Sequence, residues 1–347
     1  MLRSRSRTRS RERLATRSRR FALAFALAGS MLAVAGCEDA RQSPVPVDFG
    51  ISDAAVGDVD AVVVTIDRVT IDQPGPDIVV ETFPAEIPGD PDVDTLTIDL
   101  LDYQGEARKL IIDDLLLMPG PYQNIRLSII DDDTSLTHVH ESNGDVVPLK
   151  VPSNELKLGG FYVDVFWPQT FVLEFDLSRA MTYNPGPDRY ILKPRGVRVV
   201  DVEEAASISG TVDPALFDAG DCASKPDPSV GNVVYLYAGH GLDLARLGDV
   251  FDPQTDPVAA SQWIEPYASE RVASDGSYLV AYLPAGPYTV AFACDAANDD
   301  PDVDDGIVIP DPAGQWAEVS LPPGHVGVCD FVAGTMPGAC PTSPAGP

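Results

Sequence analysis

Histidine, lysine and the usual catalytic signatures are what this 347-residue chain has least of. It holds 4 His, 3 Trp and five Lys, and Lys and Arg together number 24 against 53 Asp and Glu. No GxSxG elbow, P-loop or Rossmann glycine run occurs. That removes the standard marks of serine hydrolases, NTPases and dinucleotide enzymes. Among the histidines only His138 and His140 are close, at a spacing that puts both on one strand face. No cysteine or third histidine lies near them, so a surface pair explains them better than a metal site. His240 sits in Gly239-His240-Gly241, a flexible turn without a recognisable nucleophile partner, and His325 is isolated. The first 36 residues hold nine Arg and one Glu, a net +8, so of the formal −29 the remaining 311 residues carry −37. Such a surface repels phosphate backbones and acidic membranes, which argues against nucleic acid as a partner. It favours solubility in salt or loose attraction of divalent cations. Beyond the leader no stretch approaches the roughly 18 to 20 apolar residues that span a bilayer.

What is present begins with that leader. Arg3, Arg5, Arg7, Arg9, Arg11, Arg13, Arg17, Arg19 and Arg20 precede the apolar run Phe21 to Val34, which closes in Val34-Ala35-Gly36-Cys37. Positive charge held on the cytoplasmic side orients the apolar segment that follows. The arrangement resembles a bacterial lipoprotein signal peptide. The resemblance implies a signal peptide over residues 1–36, cleavage before Cys37, a diacylglycerol on its thiol and acylation of the new amino terminus. Residues 37–46 are then a polar, Pro-containing tether. The leader is too short and wrongly flanked to persist as a membrane helix, so lipid is the expected anchor to the membrane. Arg19-Arg20-Phe21 fits twin-arginine export only loosely, since that signal spaces its aromatic one residue further on. Glu38 in place of Asp favours the outer membrane and leaves the face of the cell envelope open. The other cysteines, Cys222, Cys294, Cys329 and Cys340, fall in the last third. An even number in an exported chain predicts two disulfides, with three pairings open.

Length predicts two domains, and the patterns predict an all-β fold. Ala61 to Asp72 reads as a strand, then Asp77 to Phe83, Thr95 to Leu101, Lys109 to Ile112 and Tyr122 to Ile130. Asn143-Gly144 joins Thr137 to Glu141 with Val146 to Val151 as a hairpin. Phe161 to Phe166, Thr170 to Leu177 and Tyr190 to Val202 follow. Short strands separated by turn residues argue for a β-sandwich over residues 47–204. Phe171, Leu173, Phe175 and Leu177 share one face, with Glu174 and Asp176 on the other. In Met118-Pro119-Gly120-Pro121-Tyr122 the glycine takes a turn conformation and Tyr122 points its ring inward. The succession DAAVGDVDAVVVTIDRVTI, TLTIDLLDYQG, LLLMPGPYQNIRLSI, VPLKVPSNELKL, FVLEFDLSRA and YILKPRGVRVVD is similar to the bacterial domain of unknown function (DUF) 4382 family. The resemblance implies an exported, often lipid-anchored β domain and transfers no catalytic residue.

A second sandwich is expected over residues 206–334, from Ser207 to Val212, Asn232 to Gly239, Tyr278 to Leu283, Tyr288 to Cys294, Trp316 to Leu321 and Val326 to Val332. SGTV, DGSY and LPAGPYTVAF resemble the carboxypeptidase regulatory-like, or transthyretin-like, domain. The resemblances thus imply two consecutive immunoglobulin-like or prealbumin-like sandwiches after a lipoprotein signal peptide. The resemblance implies no peptidase activity, and residues 206–334 hold no HxxE zinc motif. Residues 240–270 exceed what this sandwich requires, with Leu242 to Phe251 expected as a short helix. Trp263 and Tyr267 there serve either binding or packing on the sandwich edge. The tail 335–347 is expected to be disordered except near Cys340.

The richest constellation follows Cys294. Asp300, Asp302 and Asp304 alternate as carboxylates of a calcium loop do, with Asp305, Gly306 and Asp311 after them. The glycine comes one position late, the twelfth position is Asp rather than Glu, and no flanking helices complete an EF-hand. Calcium (Ca2+) on Asp300, Asp302, Asp304, Asp305 and Asp311 is weighed against a merely solvated loop. Functionally, the sequence points to a lipid-anchored cell-envelope protein with a non-catalytic binding or structural role, its partner an envelope protein or glycan. The alternative is an envelope hydrolase or carbohydrate-active enzyme with an unrecognised carboxylate site.

Overall fold

Strands take 47% of the structure and helix 10%, so the chain is all-β. The computed structural model describes residues 43–54, 59–85, 90–165, 168–335 and 339–346. Cys37, the expected signal peptide and most of the expected tether lie outside the described residues.

The alternation read at Ala61 to Asp72 becomes the 14-residue strand Val59–Asp72, around which one sheet of the first sandwich is built. Val62, Val64, Ile66, Val69 and Ile71 are all buried, and a register shift between Ile66 and Arg68 re-aims the strand midway. Its first half pairs with His138–Glu141 and its second with Asn124–Ile129. The hairpin at Asn143-Gly144 forms: His138–Glu141 pairs with Val146–Lys150, and Gly144 takes φ +93°. The partner sheet runs Val197–Asp201, Gln169–Asp176, Val45–Ala54, Lys109–Leu117. Phe49, Phe171 and Phe175 from this sheet share one core with Ile66 and Leu127 from the other. The strand Val45–Ala54 starts two residues inside the segment read as a tether, with Val45 and Pro46 opposite Leu117 and Leu116. It runs parallel to Gln169–Asp176, a partner so distant in sequence that local alternation cannot reveal it.

In the second sandwich one sheet is ordered Ser277–Leu283, Ala206–Thr211, His325–Val328, Thr342–Pro344. The other is ordered Ala268–Arg271, Val233–Ala238, Gly286–Ala293, Trp316–Leu321. Ile208, Val234, Leu236, Val280, Val290, Phe292 and Phe331 fill the space between them. The SGTV glycine has a steric reason: a Cβ on Gly210 would lie 1.9 Å from the Cys329 carbonyl oxygen. Two disulfides form, Cys222–Cys294 and Cys329–Cys340. In the described part of the tail the order lies near Cys340, where the expectation of disorder made its exception. Cys340 fixes the tail beside Cys329, and Thr342–Pro344 adds a strand to His325–Val328. Both sandwiches use one device after their Pro-Gly-Pro or Ala-Gly-Pro turns. Tyr122 and Tyr288 donate their hydroxyls back to the carbonyls of Met118 and Pro284, four residues upstream, at 2.9 and 2.8 Å.

Val233–Ala238 and Gly286–Ala293 are buried on both faces. Outward-facing Val233, Tyr235, Tyr237, Ala291 and Ala293 join Leu247, Val250, Ala296 and Ile309 in a further core. The segments 240–264 and 295–310 therefore form a third layer over this sheet. The helix expected for Leu242 to Phe251 shrinks to a 3-10 turn, Leu244–Arg246. The chain is instead spread flat, so that Leu242, Leu244, Leu247 and Val250 all reach the sheet. The longest described helix, Pro257–Gln262, has six residues, started by proline and capped by Asp256, whose Oδ1 accepts from Ala259 N at 2.9 Å. Among the described residues no helix is long and apolar enough to cross a membrane.

Candidate functional site

Alternation places Phe171, Leu173 and Phe175 in the first core and sends Glu174 and Asp176 to the opposite face. That face is not solvated. The second sandwich packs on it through Val172 and Val200 against Ala281 and Tyr282, leaving Glu174 and Asp176 each 1% exposed. Arg198 lies over the Tyr267 ring at 5.6 Å, and its guanidinium nitrogens stand 3.9 Å from both carboxylates, too far for hydrogen bonds. Asp53 is fully buried there, with no hydrogen-bond partner for either carboxylate oxygen. Burial pushes Glu174 up to about 8, against the pull of Arg198 and a hydrogen bond from Ser52. Burial, then the charges of Glu174, Glu270 and Asp176, hold Asp53 well above the carboxylate range.

These shifts set a pH dependence. A carboxyl raised on folding binds its proton more tightly in the native state than in the unfolded chain. Stability is then fullest below the ordinary carboxylate value and falls as pH rises through the folded one. For Glu174 the window runs from 4.5 to about 8. The melting temperature, measured in chelator at fixed ionic strength, should fall across that window, and Glu174→Gln should flatten the fall. An unchanged slope in the variant would refute the assignment.

Beside this seam, the turn Lys193-Pro194-Arg195-Gly196 of the first sandwich grips the second. Arg195 donates to the Pro301 carbonyl at 2.8 Å and to that of Phe251, and pairs with Glu265 at 3.0 Å. Arg179 pairs with the same Glu265 and donates to the Tyr267 carbonyl. Lys193 pairs with Asp302, and Ser178 and Ser269 hydroxyls meet at 2.8 Å. An open groove of about 520 Å³ follows the seam, lined by Leu177, Met181, Tyr183, Glu270, Asp299 and Asp300 among others.

The acidic loop does not gather its five candidate carboxylates on one point. Asp302 is committed to Lys193, and the Oδ1 of Asp300 accepts from Asp302 N at 2.9 Å. Asp311 lies beside the Cys222–Cys294 disulfide. Asp305 instead joins Asp299, from earlier in the loop, and Asp249, from the 240–264 segment, with carboxylate oxygens all within 4.8 Å of one another. Asp304 lies within hydrogen-bond reach of Asp249, carboxyl to carboxyl. Burial raises Asp249 and Asp299 to about 7 each, and the charges that push further are other carboxylates: Asp299 and Asp304 on Asp249, Asp305 and Asp176 on Asp299. Tyr235 donates to Asp299 at 2.6 Å, acting the other way. Asp249 was not foreseen from sequence. Its only signal is a lone acid among Leu247, Val250 and Phe251.

The remaining aromatic and histidine candidates fall in separate places. His138 and His140 have ring centroids 6.3 Å apart, and no Cys, Asp, Glu or further His joins them in a three-ligand group among the described residues. His240 donates from Nε2 to the Val319 carbonyl at 2.9 Å. Tyr267 lies at the seam under Arg198, and Trp263 lines a cavity of about 340 Å³ with Leu244, Leu247, Asp304 and Ile307.

Residues 45–194 match the family described as Domain of unknown function (DUF4382). No curated protein matches the chain. Among solved structures, the Bacillus anthracis TIE protein is similar at 9% identity over 86% of this chain and 34% of its own, with a TM-score of 0.19. A candidate cell adhesion protein of Bacteroides fragilis is similar at 8% identity over 86% and 97%, with a TM-score of 0.20. The minor pilin of Streptococcus agalactiae is similar at 11% identity over 86% and 98%, with a TM-score of 0.18. The chain spans about a third of the length of the first of these. At such TM-scores none of the likenesses carries functional weight.

Proposed function

We propose that this chain is a lipid-anchored protein of the cell envelope, sorted to the outer membrane, whose two sandwiches act as one rigid, non-catalytic binding or structural module. The observation that carries the reading is the joint use of Glu265 by Arg179 and Arg195 across the seam, which makes one body of two sandwiches. A hinged pair would favour closure on a substrate; a locked pair favours holding a partner at fixed geometry. The anchor rests on Val34-Ala35-Gly36-Cys37 behind the Arg-rich leader, and the resemblance of residues 206–334 to a carboxypeptidase regulatory-like domain fits an accessory role. The partner is an envelope protein or glycan, with the groove along the seam as the surface available to it.

A hydrolytic carboxylate pair finds poor support in this geometry. Glycosidase carboxylates stand roughly 5–5.5 or 6.5–9.5 Å apart with the sugar between them. Asp249, Asp299 and Asp305 approach within 4.8 Å, and Asp249 is 0% exposed, which leaves no room for a substrate between them. The anchor is tested by fractionating cells that express the chain. Wild type should partition wholly with membranes, and Cys37→Ala should become soluble or accumulate uncleaved. Wild type recovered in the soluble fraction and cut elsewhere would overturn the reading.

A further inference from the structure

Two long segments cross over the outer face of the sheet that contains Val233–Ala238, and the crossing is lined with acid. Asp249 comes from the first segment, Asp299 and Asp305 from the second. Apolar contacts alone do not explain the crossing: Leu247, Val250, Ile307 and Ile309 surround it, yet a carboxylate sits at its centre.

Asp249 is 0% exposed. Its Oδ2 is satisfied, accepting from the backbone N–H groups of Asp305 and Ile307 at 3.0 Å each. Its Oδ1 is buried with no N–H or hydroxyl donor among the described residues, and the further side chain brought against this carboxylate besides Asp299 and Asp305 is another carboxyl, that of Asp304. A buried anionic oxygen left without a donor is costly, and native folds satisfy such atoms with a proton, a donor or an ion. The two neighbouring carboxylates are held in place by donors as ligating groups are. Asp299 accepts from the Tyr235 hydroxyl at 2.6 Å and from Val250 N at 3.2 Å, and Asp305 Oδ2 accepts from Asp300 N at 2.6 Å. Such outer contacts fix the aim of ligands.

We propose that Asp249, Asp299 and Asp305 together bind one hard divalent cation of the calcium type. The donor set contains only carboxylate oxygens, which suits calcium; zinc would draw on imidazole or thiolate, and the four described cysteines are consumed in disulfides. Calcium takes irregular shells of mixed carboxylate and water, whereas magnesium demands a near-ideal octahedron. Asp304, which faces Asp249 and also lines the adjoining cavity beside Trp263, stands at the approach from solvent. The ion would pin the third layer to the sheet, next to the contacts of Asp302 and Pro301 with the Lys193-Pro194-Arg195 turn. The site is independent of the anchor, so failure of either leaves the other standing.

The test uses the purified full chain, stripped with chelator and titrated with terbium, then with calcium chloride. Tyr235, bonded to Asp299, serves as the built-in sensitiser of terbium emission. Emission should appear on binding and be displaced by calcium. Asp249→Asn and Asp305→Asn should each weaken calcium binding by at least about tenfold, whereas Asp311→Asn should leave it unchanged. Asp305 is exposed, so its variant keeps the fold even where Asp249→Asn does not. No sensitised emission from wild type, or equal binding by wild type, Asp305→Asn and Asp311→Asn, would overturn the proposal.

Discussion

Replacing Glu265 by alanine should destabilise the chain by about 2–3 kcal/mol, between the range for exposed pairs and that for breaking a buried pair from one side, since its side chain is 22% exposed. The size follows from what is left behind. Glu265 carries the single carboxylate shared by Arg179 and Arg195, whose side chains are 13% and 16% exposed. Removing it strands two largely buried guanidinium groups, each still tied to backbone carbonyls that cannot neutralise it. Glu265→Gln keeps the shape and one acceptor oxygen, so it should recover part of the packing but not the charge. The triple variant Glu265→Ala, Arg179→Met, Arg195→Met should lose less than Glu265→Ala alone, because no cation is then stranded. Urea unfolding gives all three numbers. A cost for Glu265→Ala below about 1 kcal/mol, the range of exposed pairs, would mean that the seam is wet and the two sandwiches move independently.

How far the sequence carries this account depends on whether a residue's partners are local. The hairpin at Asn143-Gly144 was legible because two residues specify its turn and its register. The Phe171, Leu173, Phe175 stripe was legible because alternation alone assigns the core face. Alternation says nothing about what covers the other face, so the burial of Glu174 and Asp176 under the second sandwich was invisible. The run Val233 to Tyr237 did hold a readable signal: an unbroken apolar strand is buried on both faces. It announced the third layer without saying which residues supply it. Asp249 was beyond reach because its importance lies in meeting Asp299 and Asp305, fifty or more positions later. The acidic loop drew attention by its carboxylate density, yet Asp302 is spent on Lys193 and Asp311 sits apart beside the disulfide. Density located the neighbourhood; only the fold selects the ligands.

The two disulfides should contribute unequally, and the larger share belongs to Cys222–Cys294. It closes a loop with a sequence separation of 72, against 11 for Cys329–Cys340. Restriction of the unfolded chain grows with the logarithm of loop length, giving about 4 kcal/mol for the first and about 3 kcal/mol for the second. The local settings widen the gap. Cys222 and Cys294 are 1% and 0% exposed and stitch the turn Gly220–Ser224 to the end of Gly286–Ala293, where the acidic loop begins. Lys225, next to that turn, donates to the carbonyls of Val230 and Cys294 and so depends on the same placement. Cys329–Cys340 mainly holds the added strand Thr342–Pro344. Alanine replacement of Cys222 and Cys294 together should therefore lower the unfolding free energy by about 4 kcal/mol and expose the amides of the third layer to hydrogen exchange. Replacement of Cys329 and Cys340 should free the amides of Val328 and Ala345, which donate to the Pro341 and Gly324 carbonyls, while Val233–Ala238 stays protected. Free thiols titrated in the native protein, or equal protection of both regions in both variants, would show that the pairs do not divide the labour in this way.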